Sequence, residues 1–408
     1  MREERLKAEL LLVGGIQVIH KTPAVLVLTL GLAPYRADFF HQLAVRLQRR
    51  LAVVILQRSP EVARYGWQGS APSGELSIIT VSDEKTLQQR QHPQTTLRKG
   101  FFQTPPTLRQ WLEILRRRPA IIYSSEASLF CWPALLYSLL TKAPLVLETD
   151  MGPMIRWRLS SLKRWNQWLF RKQAALIVGR RQDCLRDGPK VVFAPHAVDA
   201  AHFRPGSPKR KGKEVGGAPV FLFVGVPSPT KGLDLFAQAA GHAARKAVFQ
   251  IQIIGANKSQ VRSLREIFRA TGFKGPLSIH GFLSGADLLR EYQRADVFVF
   301  PSRFDTYGVV VHEAACCGLP LLVSRFAGAS QNLVSAGRNG YVIDPADTRA
   351  FAARLVELAR HPQRRRQMGR ESRKLGLRYS VEKQAAVVAR RILVLAGKSA
   401  KQALGPSP

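Results

Sequence analysis

Apolar residues in this chain fall into two kinds of run, unbroken blocks of strand length and longer stretches with helical spacing. Ala24 to Leu30 is a continuous apolar block, Phe39 to Arg50 has helical spacing, and Leu51 to Leu56 is apolar again. Further blocks lie at Ala120 to Tyr123, Leu145 to Leu147, Leu176 to Val178 and Val191 to Ala194, each preceded by a segment able to form a helix. Unbroken blocks, rather than alternating ones, predict strands buried on both faces, and the β-α-β order predicts a parallel sheet with helices on each side. Residues 57–107, rich in Gln, Ser, Thr, Pro and Gly, read as edge strands and loops.

Pro205 to Pro219 interrupts the pattern with dense Gly, Pro and Lys and little apolar content, as a solvated linker does. Beyond it the pattern resumes: strands at Val220 to Val224, Phe249 to Ile254, Leu277 to His280 and Val297 to Phe300, and helices at Gly232 to Ala244 and Ala286 to Gln293. The expected class is therefore α/β, with two Rossmann-like, doubly wound domains. The first spans 1–205, a linker spans 206–219, and the second spans 220–379. A basic stretch then precedes a last helix over 380–396, and 397–408 reads as a disordered tail.

With 408 residues and 46% hydrophobic content, the chain can bury two cores. No apolar run reaches the roughly 18 residues needed to cross a bilayer. Glu3, Glu4 and Glu9 spoil a basic n-region, and Gly14-Gly15 breaks the following apolar run, so the N-terminus reads as a poor secretory signal. Cys131, Cys184, Cys316 and Cys317 lack metal-ligand spacing, which fits a reducing cytoplasm. The 62 Lys and Arg against 28 Asp and Glu give a net charge of +34, which favours anionic partners. Arg156-Trp157-Arg158, Lys163-Arg164-Trp165, Trp168 and Phe170-Arg171-Lys172 interleave aromatics with cations, either as an interfacial helix at an anionic membrane or as a core helix with a basic outer side. Charge of this kind also suits nucleic acid, but the chain has no zinc finger, RRM-like aromatic motif or basic zipper, and no specific nucleic-acid partner is expected.

Chemistry concentrates in residues 301–324, Pro-Ser-Arg-Phe-Asp-Thr-Tyr-Gly-Val-Val-Val-His-Glu-Ala-Ala-Cys-Cys-Gly-Leu-Pro-Leu-Leu-Val-Ser. The order is strand, loop, helix, strand. A helix opening near Gly308 would aim its free N–H groups and positive dipole end at the loop, which suits a phosphate. Asp305 precedes that helix. Glu313 lies about a turn and a half inside it among apolar residues, where a carboxylate needs hydrogen-bond donors to offset desolvation. Sugar or ribose hydroxyls would supply them. The run resembles the donor-site signature of retaining GT-B glycosyltransferases of family 4: Pro-Ser, two residues, an acid, two residues, Gly308, then Glu313-Ala314 and a closing Gly318-Leu319-Pro320. It departs from that family once, with Asp305 in place of Glu.

The resemblance implies two domains facing across a cleft, with the C-terminal helix crossing back to the first domain. It implies that Asp305 contacts the donor sugar and Glu313 the nucleotide ribose. A second run, Phe223 to Asp234, joins a strand to a helix through a turn that carries Gly225 and Lys231. The Lys231 ammonium would neutralise the donor diphosphate and stabilise the leaving group. The family's Arg five residues earlier is Val226 here, which leaves a phosphate contact missing or supplied by Arg303. Gly255, Gly281 and Phe282 follow strands at positions where backbone reads the nucleotide, and Arg303, Tyr307, Gly308, Val309 and Val310 line the same loop. Arg36 and Asp38 resemble the acceptor-side loop. The family's histidine after the Leu145 strand is absent from Glu148-Thr149-Asp150, so any catalytic duty there falls on Asp150 or Glu148, or on nothing.

The function these features imply is retaining transfer from a nucleoside-diphosphate-sugar to a lipid-linked glycan or cell-envelope polysaccharide, by a cytoplasmic and membrane-peripheral enzyme of the hexosyltransferase class. No metal and no cofactor are expected, because the chain lacks an Asp-x-Asp pair and the family uses helix dipoles and basic residues instead. A nucleotide-sugar epimerase or a phosphorylase on the same fold is the alternative enzyme reading. A basic nucleic-acid-binding protein is the alternative outside enzymology, and it gives no account of Asp305 and Glu313.

Overall fold

In the computed structural model, which describes residues 25–29, 33–48, 51–55, 77–80, 108–126, 131–152, 160–188, 190–206 and 217–403, the apolar blocks form two parallel sheets. The first holds β1 (Val25–Thr29), β2 (Leu51–Ile55), β3 (Ser77–Thr80), β4 (Ile121–Ser125), β5 (Leu145–Thr149), β6 (Leu176–Gly179) and β7 (Val191–Phe193). Their order is β3-β2-β1-β4-β5-β6-β7. Val25 and Val27 enter one core while Leu26 and Leu28 enter the other, which is why this strand reads as an unbroken block. Helix α1 (Pro34–Arg46) covers the first of these faces through Phe39, Phe40 and Leu43. Helices α2 (Leu108–Arg117), α3 (Cys131–Thr141) and α4 (Ser161–Gln173) cover the second through Ile114, Leu135 and Phe170.

The second sheet holds β8 (Val220–Val224), β9 (Gln250–Ile254), β10 (Leu277–His280), β11 (Val297–Phe300), β12 (Leu321–Ser324) and β13 (Gly340–Ile343) in the order β10-β9-β8-β11-β12-β13. Helices α5 (Leu233–Ala244), α6 (Lys258–Ala270), α7 (Gly285–Arg294), α8 (Val309–Cys316), α9 (Ser330–Leu333), α10 (Thr348–Arg360) and α11 (Pro362–Arg378) belong to this half. Helix α12 (Val381–Ala403) then returns to the first domain. Its Val381, Ala385, Val388, Ala389 and Ile392 join Phe39, Phe40 and Leu43 in one core. The crossing helix implied by the resemblance is present.

Several expectations are corrected. Helix α1 begins at Pro34, five residues before the expected start, because proline at the first helical position needs no N–H partner and has its φ preset. The segment before β7 is a 3-10 turn, Gln182–Asp187, and not an α-helix. The basic stretch before the last helix is itself α11. Its Met368, Gly369, Ser372 and Gly376 are buried, while Arg366, Arg370, Lys374 and Arg378 are exposed. The tail expected to be disordered from 397 is helical through Ala403, and 404–408 lie outside the described residues. So do the N-terminal segment, most of 57–107, most of the linker, and Arg156-Trp157-Arg158. The part of 57–107 that is described, β3, is an edge strand as expected.

Side chains and backbone tie the two halves together. The Arg373 guanidinium donates to the carbonyls of Ala200 (3.1 Å), Phe203 (2.8 Å) and Cys316 (2.6 Å). Arg181 Nη1, at the end of β6, donates to the Thr306 carbonyl (3.1 Å), and the Asp183 amide donates to Gln331 Oε1 (3.2 Å). All four cysteines are buried, and none is joined in a disulfide. Among the described residues, no helix is long and apolar enough to cross a membrane, and no group of three or more His, Cys, Asp or Glu could hold a metal ion.

Candidate functional site

Strands β8 and β11 are neighbours although 72 residues lie between Val224, the last of β8, and Val297, the first of β11. At such a reversal of strand order, the loops leaving the carboxyl ends diverge and open a crevice. The loop after β8 carries a 3-10 turn, Pro229–Lys231, closed by Gly232 at φ 68°. A Cβ there would stand 2.1 Å from the Pro301 carbonyl oxygen, so the approach of this turn to the β11 loop requires glycine. The Thr230 carbonyl latches the two loops by accepting from the Arg303 amide (2.8 Å) and from Ser302 Oγ (2.9 Å).

The latch brings Lys231 Nζ to 2.5 Å from Asp305 Oδ2. The other Asp305 oxygen accepts from the Tyr307 amide (3.0 Å), and the Asp305 backbone bridges to Ala327. The side chains of Lys231 and Asp305 remain 24% and 15% exposed. The ammonium has three donors, so its bond to Asp305 leaves others for a second anion. Gly308, at φ 88°, is the N-cap of α8, and no side chain caps this end. The first amides of α8, beginning at Val309 and Val310, therefore present partial positive charge beside the Lys231–Asp305 pair.

Glu313 is the fifth residue of α8, and its Oε2 accepts from Tyr292 Oη at 2.7 Å. Burial pushes its carboxyl up to about 7 despite that bond. Burial and the neighbouring Glu313 together raise the Tyr292 phenol well above its ordinary value. Tyr307 is buried, and its hydroxyl accepts from Asn332 Nδ2 (3.3 Å). The loops after β8, β9 and β10 lie side by side: the Gly225 amide donates to Ile254, and the Gly255 amide donates to the carbonyls of His280 and Gly281. Phe282, on the last of these loops, is exposed. Arg303 lies in the β11 loop but donates through both guanidinium nitrogens to Asp234, at 2.7 and 2.5 Å. Its Nη1 also donates to the Pro229 carbonyl (2.9 Å).

The first domain contributes a second cluster at the carboxyl ends of its strands. Glu148 is buried and meets Arg36 Nη1 (3.2 Å), Arg180 Nε (3.3 Å) and Tyr123 Oη (2.8 Å). Burial alone would raise its carboxyl, but the Arg180 and Arg36 guanidiniums overcome this and hold it well below the usual carboxylate range. Arg180 also donates to the Ala194 carbonyl (2.8 Å) and lies over the Phe39 ring. Arg36 thus turns to Glu148. Asp38 sits apart from it, with its carboxyl raised to about 6 by burial and by Asp199. Asp150 Oδ1 lies 2.8 Å from His196 Nε2. Burial would raise the Asp150 carboxyl, and His196 brings it below its ordinary value. The His196 ring stands edge-on between Tyr35 of the first domain and Tyr307 of the second, 5.2 Å from each.

Sequence reasoning missed Tyr123, Arg180, His196 and Tyr292. His196 carried a usable signal, because Ala194-Pro195-His196 directly follows an apolar block, at the carboxyl end of a parallel strand where ligand sites collect. It comes from the loop after β7 and reaches Asp150, which follows β5. Arg180 likewise ends the Leu176 block. Tyr292 had no local signal, since its partner is 21 residues away on another helix.

Residues 207–375 match the family model described as Glycosyl transferases group 1. The D-inositol 3-phosphate glycosyltransferase of Acidothermus cellulolyticus is 26% identical over 205 residues, covering 47% of this chain and 44% of that protein. D-inositol 3-phosphate glycosyltransferase 2 of Catenulispora acidiphila is 28% identical over 216 residues, covering 50% of each. The chain thus spans about half the length of the curated relatives it matches. Over 91% of this chain and 99% of the other, the fold resembles the crystal structure of Anabaena Alr3699/HepE in complex with UDP, with a TM-score of 0.70 and 16% identity. Residues 207–375 are therefore similar to glycosyl transferases group 1 domains, and with the sheet before them they complete a two-sheet GT-B fold like that of these structural neighbours.

Proposed function

We propose that the protein is a retaining glycosyltransferase of family 4 that moves a sugar from a nucleoside-diphosphate-sugar to a hydroxyl of a lipid-linked glycan or cell-envelope polysaccharide. The Lys231–Asp305 contact beside the uncapped start of α8 is the observation that carries this reading. An ammonium and a helix N-terminus side by side suit a diphosphate. Glu313 and Asp305 supply carboxylate acceptors for ribose and sugar hydroxyls. The relatives' names and the UDP-bound neighbour support a nucleotide-sugar donor.

In the proposed reaction, the bond from the sugar C1 to the diphosphate oxygen breaks and its electron pair leaves with the diphosphate. The acceptor oxygen bonds to C1 on the same face, and its proton passes to the departing phosphate oxygen. Lys231 and the α8 amides lower the energy of that developing charge, and removing one such donor typically costs about 10²- to 10³-fold in turnover. Asp150, oriented by His196, lines the first-domain side. Thermal-shift screening against a panel of nucleotide-sugars tests the reading, with Glu313→Ala and Lys231→Ala as controls. Stabilisation by one donor, lost in both variants, is expected, with nucleoside diphosphate released only when acceptor is added. Normal shifts in both variants would remove the site, and release without acceptor would remove the transferase.

A further inference from the structure

Helices α3 and α4 turn large apolar side chains away from the sheet they cover. On α3, Trp132, Leu136, Leu139 and Leu140 are exposed, the last two by 55% and 70%. Their spacing places them on a single helical stripe, while Cys131, Ala134 and Leu135 face the core. On α4, Trp165 and Trp168 are each 54% exposed and lie three residues apart, which stacks them on one side. The two helices adjoin, since Trp132 packs edge-on against Phe170 of α4 at 5.1 Å. Phe170 is the core residue, and the tryptophans face solvent.

Cations surround these side chains. Lys142, Lys163, Arg164 and Lys172 are exposed, and Lys172 Nζ stands 5.1 Å over the Trp168 ring. Neither α3 nor α4 contains an acid, and Glu126, just before α3, is bound by Arg171. Large apolar side chains exposed together on neighbouring helices, and rimmed by cations, mark an interaction surface. We propose that it docks the protein peripherally on a bilayer rich in anionic lipid. Tryptophan rings suit the headgroup boundary, leucines suit the acyl region beneath, and Lys and Arg suit lipid phosphates. A second copy fits poorly, because self-apposition would bring two like-charged rims together. Nucleic acid fits poorly too, because it offers nothing for Leu139 and Leu140 to enter. This inference does not rest on the transferase reading.

Sedimentation of the full chain with vesicles tests it, using phosphatidylcholine alone and a mixture with about one-third phosphatidylglycerol near physiological salt. The wild type is expected to bind the anionic vesicles about tenfold or more tightly than the neutral ones. Lys163→Glu/Arg164→Glu and Leu139→Asn/Leu140→Asn should each weaken that binding by about tenfold or more while the melting temperature stays within a few degrees. Three results would overturn the proposal. One is no binding to anionic vesicles, and another is binding unchanged by the leucine pair, which would mean charge attraction alone. The third is a dimer, measured by sedimentation velocity, that the leucine pair dissociates.

Discussion

Glu313 shows how burial sets the behaviour of one group. Its carboxyl titrates near 7 in the folded chain against an ordinary value of 4.5, and desolvation is the cause. The folded state therefore keeps a proton that the unfolded chain has released. The associated stability is fully present below about pH 4.5 and is lost as pH rises to about 7. Glu313→Gln keeps an acceptor for Tyr292 without the charge. Urea unfolding should find this variant more stable than wild type by about 3 kcal/mol near pH 8, with the difference vanishing near pH 4. A difference that does not change with pH would show that Glu313 is solvated. The sequence flagged this residue because a charge among valines and alanines is visible locally; its partner was not, because Tyr292 arrives from α7.

At the scale of elements, the site depends on how closely two strand-end loops approach. Gly232→Ala introduces a Cβ against the Pro301 carbonyl at a positive φ. It should destabilise the protein by about 2 kcal/mol or more in thermal unfolding and lower donor affinity further than Tm, because Lys231 is displaced. In the first domain, Arg180→Met leaves Glu148 with Arg36 as its remaining guanidinium partner among the described residues. A cost of about 3 kcal/mol is expected, part of it recovered in Arg180→Met/Glu148→Leu, since a buried carboxylate that has lost one of its two cations is worse than none. Additive losses in that cycle would mean that the pair is not coupled. The strand, loop and helix around Asp305 were legible because local apolarity and glycine placement specify them. The meeting of Lys231 with Asp305 was not, because it follows from the adjacency of β8 and β11.

The whole molecule is held by a helix from one end of the chain that completes the core at the other. Truncation before Val381 would uncover Phe39, Phe40 and Leu43. Five buried apolar side chains of α12 contribute about 5–10 kcal/mol as an upper bound, which is comparable to the entire stability of a typical domain. The truncated chain should lose the cooperative unfolding of its first domain, measured by circular dichroism and calorimetry. A chain that stays soluble and melts normally would show that α12 only decorates the surface. The net charge of +34 also belongs to this scale. Composition favours an anionic partner, but only folding separated the outward tryptophans from the inward Phe170.

By itself the sequence determined the α/β class, the division into two sheets and the placement of Asp305, Gly308 and Glu313 on a loop and helix start. These follow from periodicity, glycine and proline, which act over a few residues. Strand order, the Lys231–Asp305 contact, the pairing of His196 with Asp150 and the capture of Arg303 by Asp234 were decided by tertiary structure. Each joins groups 46 to 74 residues apart. At that separation, packing and electrostatics choose the partner, and no local pattern in the chain records the choice.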